Sequence, residues 1–517
     1  MRLRREKISI HVARLTSHDI SYFYRAFRTK TTHLMKFYFV AGAVITSGLC
    51  WYFANDLSGN YWFLLWVAPV PVLITSFRLS AKGTFLVAFI AYLLGRLSWL
   101  SYLLTVLPVP LAVFFTVSLP LIFALIVLLT RKIVLRDRNG WSVFSFPVFW
   151  CLFEFLLFKF SPDGTAGSIS YTQSNFLPIV QIASVTGILG ISFLVTLFPS
   201  AIAVGSNFRF RRMKRSLMIA FLLIFISIIF GMIRLNSKPS NRAELTAGLA
   251  VLDEKFHSET DHPDTIKEIK TANLYAAEIK RLAQQGVQVV VLPEKIVNIM
   301  PATGTTIKNI FLNAATSDHV AIVAGYTRFT NDNTRQNRAL VISAKGELLS
   351  DYQKVNLFEG EARSGFIPGN DISVFDLNDI ASGVAICKDM DYSGFIRKYD
   401  KNNTLVMYVP AWDFIKDGWL HSRMAILRGV ENGYAIVRAA RQGELTISDH
   451  WGKVLYEADC TNNKGVVLTG KFPLMTTKTI YSQFGDWFGY LIAITAIIFI
   501  LLRRNAKIPR SQKIKTT

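Results

Sequence analysis

The sequence predicts an α-helical membrane bundle of about eight spans joined to an extramembrane α/β domain. The chain has 517 residues, of which 51% are hydrophobic, yet its formal net charge is +22. A single soluble domain is less apolar and closer to neutrality, so this combination is typical of a membrane protein. The apolar residues gather in long blocks. A stretch of about 250 residues before the last block alternates strand and helix patterns, as one soluble domain does.

Eight apolar blocks approach the ~20 residues that a helix needs to cross a ~30 Å hydrocarbon layer. Seven of them precede the extramembrane stretch and one follows it. We therefore predict a membrane domain with seven spans at residues 37–235 and a final transmembrane helix at residues 484–503. The blocks lie at residues 37–54, 61–77, 84–105, 111–130, 143–160, 177–205, 216–234 and 485–502.

Lysine and arginine recur in every second connection between these blocks and at both ends of the chain. The intervening connections NDLSGN, TVLPVP and SPDGTAGSISYTQSN contain neither residue. Short loops rich in Lys and Arg stay in the cytoplasm, so this pattern predicts cytoplasmic chain ends and a periplasmic segment at residues 236–483. The basic segments are the leader at residues 1–36, the loops that contain Arg78, Arg131 and Arg212, and the tail at residues 504–517.

The excess of positive charge does not indicate a nucleic-acid-binding protein. The basic residues are dispersed along the edges of the predicted spans, without a single basic domain or a basic patch interleaved with aromatic residues. We therefore expect the bilayer as a partner and no nucleic acid.

The four cysteines are too few and too scattered for a disulfide framework, and no CxxC or His/Cys cluster has metal-ligand spacing. Cys50 and Cys151 lie in predicted spans, which leaves Cys387 and Cys460 in the extramembrane segment. A disulfide between these two in an oxidising compartment would remove any nucleophile. That pairing and a free Cys387 are both open at this point.

Apolar strand runs alternate with helical stretches throughout residues 236–483. Strand runs this apolar are buried on at least one face, and helices between them should cover the sheets, which predicts a layered α/β domain. Helices are predicted at residues 262–285, 304–317 and 417–431. The predicted strands are AELTAGLAVLDEKF, VQVVVLPEK, HVAIVAGYTRF, the hairpin RALVISAKGELLSDYQKV with its turn at Lys345 and Gly346, ISVFDL, SGVAICKD, TLVMYVPAWDF, YAIVRAARQGELTISD and GKVLYEA.

Three predicted strands end in residues that can carry chemistry, namely Glu294, Lys354 and Cys387. Strand ends lie at the rim of a sheet, where side chains distant in sequence can converge. A thiol needs a nearby base or cation to become a good nucleophile, and a carboxylate with an ammonium group supplies proton removal and charge stabilisation. Taken singly, the same residues could be a carboxylate at a helix start, a solvated hairpin lysine and a small buried hydrophobe.

The segments around these residues resemble a known superfamily. LPEK, YQKVNLFEGE and AICKD are similar to the Glu, Lys and Cys motifs of the nitrilase, or carbon-nitrogen hydrolase, superfamily in their usual order. Residues 421–455 resemble the stretch that follows the nucleophile there. Seven preceding spans, one such domain and a final span resemble the bacterial apolipoprotein N-acyltransferases, as do residues 167–195. The resemblance covers nearly the whole chain.

The resemblance implies a nitrilase-like α-β-β-α sandwich and an acyl transfer in two steps. Cys387 would attack an ester of a membrane phospholipid, and the thioester would pass its acyl chain to the N-terminal amine of diacylglyceryl-cysteine in a bacterial lipoprotein. Glu294 matches the general base, Lys354 the cation that stabilises the oxyanion, and Glu361 a supporting second carboxylate. No cofactor is implied. The expected location is the bacterial inner membrane, with the catalytic domain facing the periplasm.

Further residues are candidates for contact with the substrates. The backbone N–H of Lys388 is expected to help bind the oxyanion. Trp412 could contact acyl chains or be an ordinary core or interface aromatic. Phe358 and Phe366 could cover the site from the membrane side, beside or within the short polar loop at residues 360–379.

Other functions stay open at this point. A membrane-anchored amidase or hydrolase, or an acyltransferase with another acceptor, would use the same three residues. A transporter would need ionisable groups within the spans, where Arg96, Glu154 and Lys159 lie. A scaffold domain without catalysis would be expected to have lost at least one of the three catalytic residue types, and none is missing.

Overall fold

The computed structural model describes residues 37–137, 140–207, 210–237, 243–257, 263–332, 334–462, 464–475 and 478–504. The predicted leader at residues 1–36 lies outside these described residues, as does the predicted tail beyond residue 504. Both therefore stay predictions.

The first part of the described chain is a bundle of apolar helices. By length and composition, six of the described helices can cross a membrane. They account for six of the eight apolar blocks and confirm the predicted helical membrane domain. The segments are α1 Phe37–Ala54, α3 Ala81–Val106, α4 Val109–Val134, Trp141–Phe160 with its main helix α5 Ser145–Phe160, α8 Ile188–Asn207, and Met213–Asn236 within α9 Phe210–Asn236.

The remaining apolar blocks form shorter helices, so the count of spans is approximate. Block 61–77 folds as a 3-10 turn at Trp62–Trp66 and the seven-residue α2 Val70–Ser76. Prolines at positions 69 and 71 remove backbone donors between these pieces, which prevents one continuous helix. After the last strand come α15 Ile480–Phe484 and the final helix α16 Trp487–Arg504.

Block 177–205 is also interrupted. A 3-10 turn at Ile169–Asn175 leads into two short helices, α6 Leu177–Val180 and α7 Ala183–Thr186. Gly187 follows with a φ of +68°, in the left-handed region that favours glycine, and α8 begins at the next residue. The chain therefore turns sharply beside the outer edge of the bundle before it crosses again.

The extramembrane segment contains two sheets packed face to face. The first has the order β13-β1-β2-β4-β5-β6, with β3 added on β4, and the second has the order β12-β11-β10-β9-β8-β7. The strands are β1 Ala243–Val251, β2 Val289–Leu292, β3 Asn298–Ile299, β4 Ala321–Phe329, β5 Arg335–Ile342, β6 Leu348–Gln353, β7 Ser373–Leu377, β8 Ile380–Val384, β9 Val406–Trp412, β10 Ala435–Arg441, β11 Glu444–Ser448, β12 Val454–Asp459 and β13 Val466–Leu474.

Helices cover the outer face of each sheet. Apolar side chains of α10 Thr265–Ala283 and α11 Gly304–Ser317 pack on the first sheet, and those of α13 Ser393–Ile396 and α14 Gly418–Asn432 pack on the second. A shorter helix, α12 Glu359–Arg363, lies between the two sheets in sequence. These layers confirm the predicted α-β-β-α sandwich.

β2 illustrates how the sequence specifies the layers. Val289 and Val291 belong to the core between the sheets, whereas Val290 and Leu292 belong to the core under α10 and α11. Successive side chains of a strand point to opposite faces, so a strand that is buried on both faces must be apolar at every position. The run VVVL meets this requirement.

β13 has no counterpart among the predicted strands. It pairs antiparallel with β1 along its whole length, from Val466 opposite Val251 to Leu474 opposite Ala243. Its sequence VVLTGKFPL lacks regular alternation and contains a glycine and a proline, both of which weaken a strand pattern. The pairing closes the domain next to the final helix.

A buried ion pair within α14 of the α/β domain is hydrogen-bonded to the membrane bundle. Arg428 of α14 donates a hydrogen bond of 3.0 Å to the hydroxyl of Tyr171 and lies 2.8 Å from the carboxylate of Glu431. Glu431 in turn accepts a hydrogen bond of 2.9 Å from the backbone N–H of Ile188, the first residue of α8. The first N–H groups of a helix have no partner within it, so a carboxylate there stabilises the helix end.

We expect Glu431→Gln to lower the free energy of unfolding by about 3–5 kcal/mol, because Arg428 would keep its charge in a buried site without a carboxylate. Glutamine retains a hydrogen-bond acceptor for the Ile188 N–H, so the loss of stability measures the effect of removing the negative charge. Denaturant unfolding of the detergent-solubilised protein, followed by circular dichroism, measures the change.

The matched control is Glu278→Gln, which breaks a surface pair with the half-exposed Arg281. Such a change is expected to cost about 1 kcal/mol or less. Adding Arg428→Met to Glu431→Gln should restore much of the lost stability. Equal losses for the buried and the surface variant would contradict this account of the interface.

Candidate active site

Three strand ends converge at one edge of the sandwich. Glu294 follows β2, Lys354 follows β6 and Cys387 follows β8. The ammonium group of Lys354 donates a hydrogen bond of 3.0 Å to Oε1 of Glu294, and both side chains are 2% exposed. Cys387 lines the same cavity, and the charges of both residues act on its thiol. The structure therefore brings together the three residues that the sequence singled out.

The second predicted carboxylate, Glu361, belongs to the same buried network. Its Oε2 lies 2.8 Å from Nζ of Lys354. The same oxygen accepts a hydrogen bond of 3.0 Å from the backbone N–H of Phe358, which precedes the first turn of α12. Glu361 thus accepts a hydrogen bond from a free N–H group at a helix start and also forms an ion pair with Lys354.

Two members of the network, Asn337 and Lys295, were not predicted from the sequence. The side-chain amide of Asn337 donates to Oε1 of Glu294 and to Oε1 of Glu361, the latter at 2.7 Å. Nζ of Lys295 lies 2.7 Å from the same oxygen of Glu361. The available signals were a polar residue inside a strand and a second lysine directly after Glu294.

Burial and pairing decide the charges of these groups. Burial alone would lower the pKa of Lys354, but Glu294 and Glu361 outweigh it and hold that pKa well above its ordinary value. Burial alone would raise the pKa of Glu361, but Lys354 and Lys295 bring it well below its ordinary range. Lys354 is therefore a cation and Glu361 an anion at neutral pH.

The two oxygens of Glu294 have different surroundings. Oε1 accepts from Lys354 and Asn337, whereas Oε2 is buried and has no hydrogen-bond partner among the described residues. A buried acceptor without a hydrogen bond costs stability. Native proteins therefore rarely keep one, and a catalytic role is one reason to keep it. This oxygen is available to take a proton.

The thiol of Cys387 is uncharged at rest. Burial, and then the charge of Glu294, raise its pKa well above the ordinary value, and the opposing effect of Lys354 is smaller. A protonated thiol is a weak nucleophile, so the reaction needs a base nearby. Cys387 also has a φ of +43°, in the left-handed region, which is strained for a residue with a side chain.

Asp389 holds the strained turn from within the α/β domain. The turn is a 3-10 helix at Cys387–Asp391. The carboxylate of Asp389 accepts hydrogen bonds from the backbone N–H of Ile386 at 3.0 Å, the hydroxyl of Tyr352 at 2.7 Å and the backbone N–H of Asn356 at 2.8 Å. These bonds fix the backbone on both sides of the thiol.

A loop of the membrane part holds the same turn from the other side. Nζ of Lys388 donates a hydrogen bond of 2.8 Å to Asp163, and the carbonyl of Asp391 accepts from Thr165 N–H at 2.9 Å and from its hydroxyl at 2.7 Å. Gly164 lies between them with a φ of +54°, and a Cβ there would stand 2.5 Å from the carbonyl oxygen of Asp391. The nucleophile is therefore positioned by both parts of the chain.

A cavity of about 660 Å³ extends from the catalytic groups into the membrane bundle. This volume is within the range of binding sites for drug-sized ligands and cofactors. Its membrane portion lies between α3, α4 and α5 and is mostly apolar. Apolar side chains that line it are Leu103, Phe114, Phe115, Leu119, Ile122, Phe153 and Leu157.

The four residues predicted to contact substrates all line this cavity: Trp412, Phe358, Phe366 and Lys388. The ring of Phe366 and the ring of Trp412 lie 5.0 Å and 5.5 Å from Nζ of Lys295. Only the first part of the loop predicted at residues 360–379 lines the cavity. Much of that part belongs to α12, which lies beside the site.

His421 of α14 also lines the cavity and was not predicted. Its Nε2 lies 3.0 Å from Oδ2 of Asp417, one helical turn earlier. Burial alone would lower the pKa of His421, but Asp417 outweighs it and raises the pKa to about 9. The imidazole is therefore a cation at neutral pH. The only signal for it in the sequence was an aspartate four residues before the histidine.

All four cysteines are free, so the structure does not contain the considered pairing of Cys387 with Cys460. Among the described residues, no cluster of three or more His, Cys, Asp or Glu side chains could hold a metal ion.

Comparisons with known proteins divide the chain at the same place as the structure. Residues 37–201 match the family model of the apolipoprotein N-acyltransferase N-terminal domain, and residues 262–480 match that of the carbon-nitrogen hydrolases. Among solved structures, an amidase from Nesterenkonia sp. aligns with a TM-score of 0.38 and 19% identity, over 44% of this chain and 90% of its own.

Curated relatives match across both parts. The apolipoprotein N-acyltransferase of Geobacter metallireducens is 24% identical over 491 residues, which cover 86% of this chain and 92% of that protein. The apolipoprotein N-acyltransferase of Rickettsia prowazekii is 22% identical over 467 residues, 82% of this chain and 90% of its own. With a matching membrane domain, a matching hydrolase-type domain and relatives that align over most of their length, the chain is similar to the apolipoprotein N-acyltransferases over both of its parts.

Proposed function

We propose that the protein transfers an acyl chain from a membrane phospholipid, through a thioester on Cys387, to the N-terminal amine of diacylglyceryl-cysteine in bacterial lipoproteins. One observation carries this proposal. The partly buried thiol of Cys387, with a free carboxylate oxygen of Glu294 nearby, opens into an apolar cavity between membrane helices. An enzyme whose substrates both carry lipid chains needs such access from the bilayer.

In the first step the thiol attacks an ester carbonyl of the phospholipid. Oε2 of Glu294 takes the thiol proton while the sulfur–carbon bond forms. The negative charge that develops on the carbonyl oxygen is stabilised by the ammonium group of Lys354 and the backbone N–H of Lys388. The ester C–O bond then breaks, and Glu294 returns the proton to the glycerol oxygen, which leaves as a lysophospholipid.

In the second step the α-amine of the lipoprotein attacks the thioester. Glu294 takes a proton from the nitrogen as the amide bond forms, and Lys354 again stabilises the tetrahedral oxyanion. The C–S bond breaks, and the proton held by Glu294 restores the thiol. Both steps use one base and one oxyanion site, so the two substrates must occupy the same cavity in turn.

Water must be kept from the thioester between the two steps. The apolar walls of the cavity exclude water, and an acyl chain attached to Cys387 would fill the space from which water could approach. The amine then reacts because it is held in attacking geometry, where effective concentrations are very high. This is the feature that distinguishes a transferase from the hydrolases with the same three residues.

The protein is a membrane protein, and we place the α/β domain on the periplasmic side of the inner membrane. Arg131 donates to the carbonyls of Ser76 and Leu79, and Arg78 donates to Asn207, so these basic residues lie together at one end of the bundle. The α/β domain meets the opposite end. This polarity agrees with the positive-inside rule.

A reporter enzyme that is active only in the periplasm tests this orientation. Fused after Ser237 it should be active, and fused after Asn207 it should be inactive, because one span separates these positions. The opposite pattern would remove lipoproteins as substrates, since the site would then face the cytoplasm.

Intact-mass analysis of the purified protein after incubation with phospholipid tests the reaction. We expect one acyl adduct, located on the peptide that contains Cys387, and none in Cys387→Ala. Glu294→Gln should slow adduct formation by about 10²–10⁴-fold, because it removes the base. Cys460→Ser is the matched control and should form the adduct at the normal rate.

The same acylated protein separates transfer from hydrolysis. A diacylglyceryl-cysteinyl peptide with a free α-amine should remove the acyl group rapidly, whereas its N-acetylated form should have no effect. Loss of the acyl group as free fatty acid, at a rate that neither peptide changes, would indicate a hydrolase instead.

A further inference from the structure

Arg96 is a buried cation within α3 that forms no ion pair with any of the described residues. The residue is 5% exposed, and its buried Nε donates to no acceptor among the described residues. None of the ion pairs in the described part of the chain includes it. An uncompensated buried charge is costly, and ionisable residues within a membrane span are rare and usually functional. The unpaired guanidinium therefore needs an explanation.

The guanidinium faces the cavity that contains Cys387. Arg96 lines this cavity together with Trp99, and its Cζ lies 4.5 Å from the centroid of the Trp99 ring. The ring is itself fixed, because its Nε1 donates a hydrogen bond of 2.7 Å to the carbonyl of Asn55. A stacked guanidinium keeps its N–H groups at its edge, where they are available to an acceptor within the cavity.

The other ionisable group in the membrane portion of the cavity, Glu154, is engaged elsewhere. Its Oε1 accepts a hydrogen bond of 2.9 Å from the backbone N–H of Ile169, and its Oε2 accepts one of 2.5 Å from the hydroxyl of Ser192. These bonds hold the 3-10 turn at Ile169–Asn175 and α8 against α5. Glu154 and Arg96 form no ion pair in the described part of the chain.

Arg96 lies close below the catalytic domain. Its guanidinium stacks on Trp99, one turn closer to the outer end of α3. Lys416 of the α/β domain donates a hydrogen bond of 3.2 Å to the carbonyl of Ser101, five residues after Arg96. With a rise of ~1.5 Å per residue, this contact is roughly 7 Å further along the helix. Arg96 thus lies about two helical turns or less from the point where the α/β domain contacts α3.

We propose that Arg96 binds the phosphodiester group of the glycerophospholipid that donates the acyl chain. A guanidinium group offers paired N–H donors that match two oxygens of a phosphate, and the pairing is strong where water is excluded. The assignment rests on the proposed acyl transfer. The phosphate would supply the missing counter-charge while an ester group of the same lipid approaches Cys387.

This assignment makes Arg96 a specificity-determining residue of the first step. The diacylglyceryl-cysteine acceptor has ester groups but no phosphate, although it must enter the same cavity. Arg96 therefore favours the donor when the thiol is free. It contributes little when the acylated protein receives the acceptor, because the phosphate has left with the lysophospholipid.

The test compares two donors that differ only in the phosphate-containing headgroup. Full-length protein in detergent micelles is incubated with dipalmitoyl-phosphatidylethanolamine or with dipalmitoylglycerol, and the rate of Cys387 acylation is measured by intact mass. The wild type should react faster with the phospholipid. Arg96→Met should slow that reaction by about 10-fold or more, as expected for loss of a hydrogen-bonded charge pair.

The same variant should react with dipalmitoylglycerol at the wild-type rate, and its acylated form should discharge normally to the amine-bearing peptide. Arg96→Lys, which keeps the charge but not the paired donors, should lose less of the phospholipid reaction than Arg96→Met. Arg78→Met is the matched control, because Arg78 is an exposed arginine outside the cavity, and it should leave both donors unaffected.

Equal slowing of both donors by Arg96→Met would overturn the proposal, since Arg96 would then act on the shape of the cavity. A wild type that does not distinguish the donors would overturn it as well, and this result does not depend on how well any variant folds. Absence of an adduct from either donor in the wild type would be a different result, because it contradicts the acyl transfer itself.

Discussion

The ion pair of Lys354 with two carboxylates is the interaction on which the rest of the site depends. Glu294 and Glu361 are both buried, and the ammonium group of Lys354 lies between them, 3.0 Å from an oxygen of Glu294 and 2.8 Å from an oxygen of Glu361. Asn337 adds a neutral bridge between the same carboxylates. The network occupies one oxygen of Glu294 and leaves the other free. One lysine thereby holds the base in place and supplies the cation for the oxyanion.

The membrane part is a component of the active site as well as an anchor. The nucleophile sits on a strained turn that Asp389 holds from the α/β domain, and Asp163 and Thr165 hold it from the loop after α5. The cavity that opens beside the thiol has its apolar walls on α3, α4 and α5. Catalytic geometry and lipid access therefore depend on the same domain contact. The buried ion pair of Arg428 and Glu431 stabilises this contact.

Features set by local pattern were predictable from the sequence, and features set by long-range contact were not. Strand ends with reactive residues and the apolar blocks have local signals, and the structure has Glu294, Lys354 and Cys387 where those signals predict. Asn337 gave only the weak signal of a polar residue inside a strand, because its role depends on two carboxylates that approach only after folding. Arg96 could be noted as an ionisable residue within a span. That it forms no ion pair with a described residue, and that it faces the cavity, could be seen only in three dimensions.

The central claim is that an acyl chain bound to Cys387 lies in the cavity between the membrane helices. A phospholipid with a photoreactive diazirine near the end of its acyl chain tests this directly. After acylation of Cys387 and irradiation, peptide mapping should locate the cross-links on α3 and α4, around Leu103, Phe114 and Leu119. Cross-links confined to the surface of the α/β domain, or spread over lipid-exposed residues such as Phe225, would contradict the account.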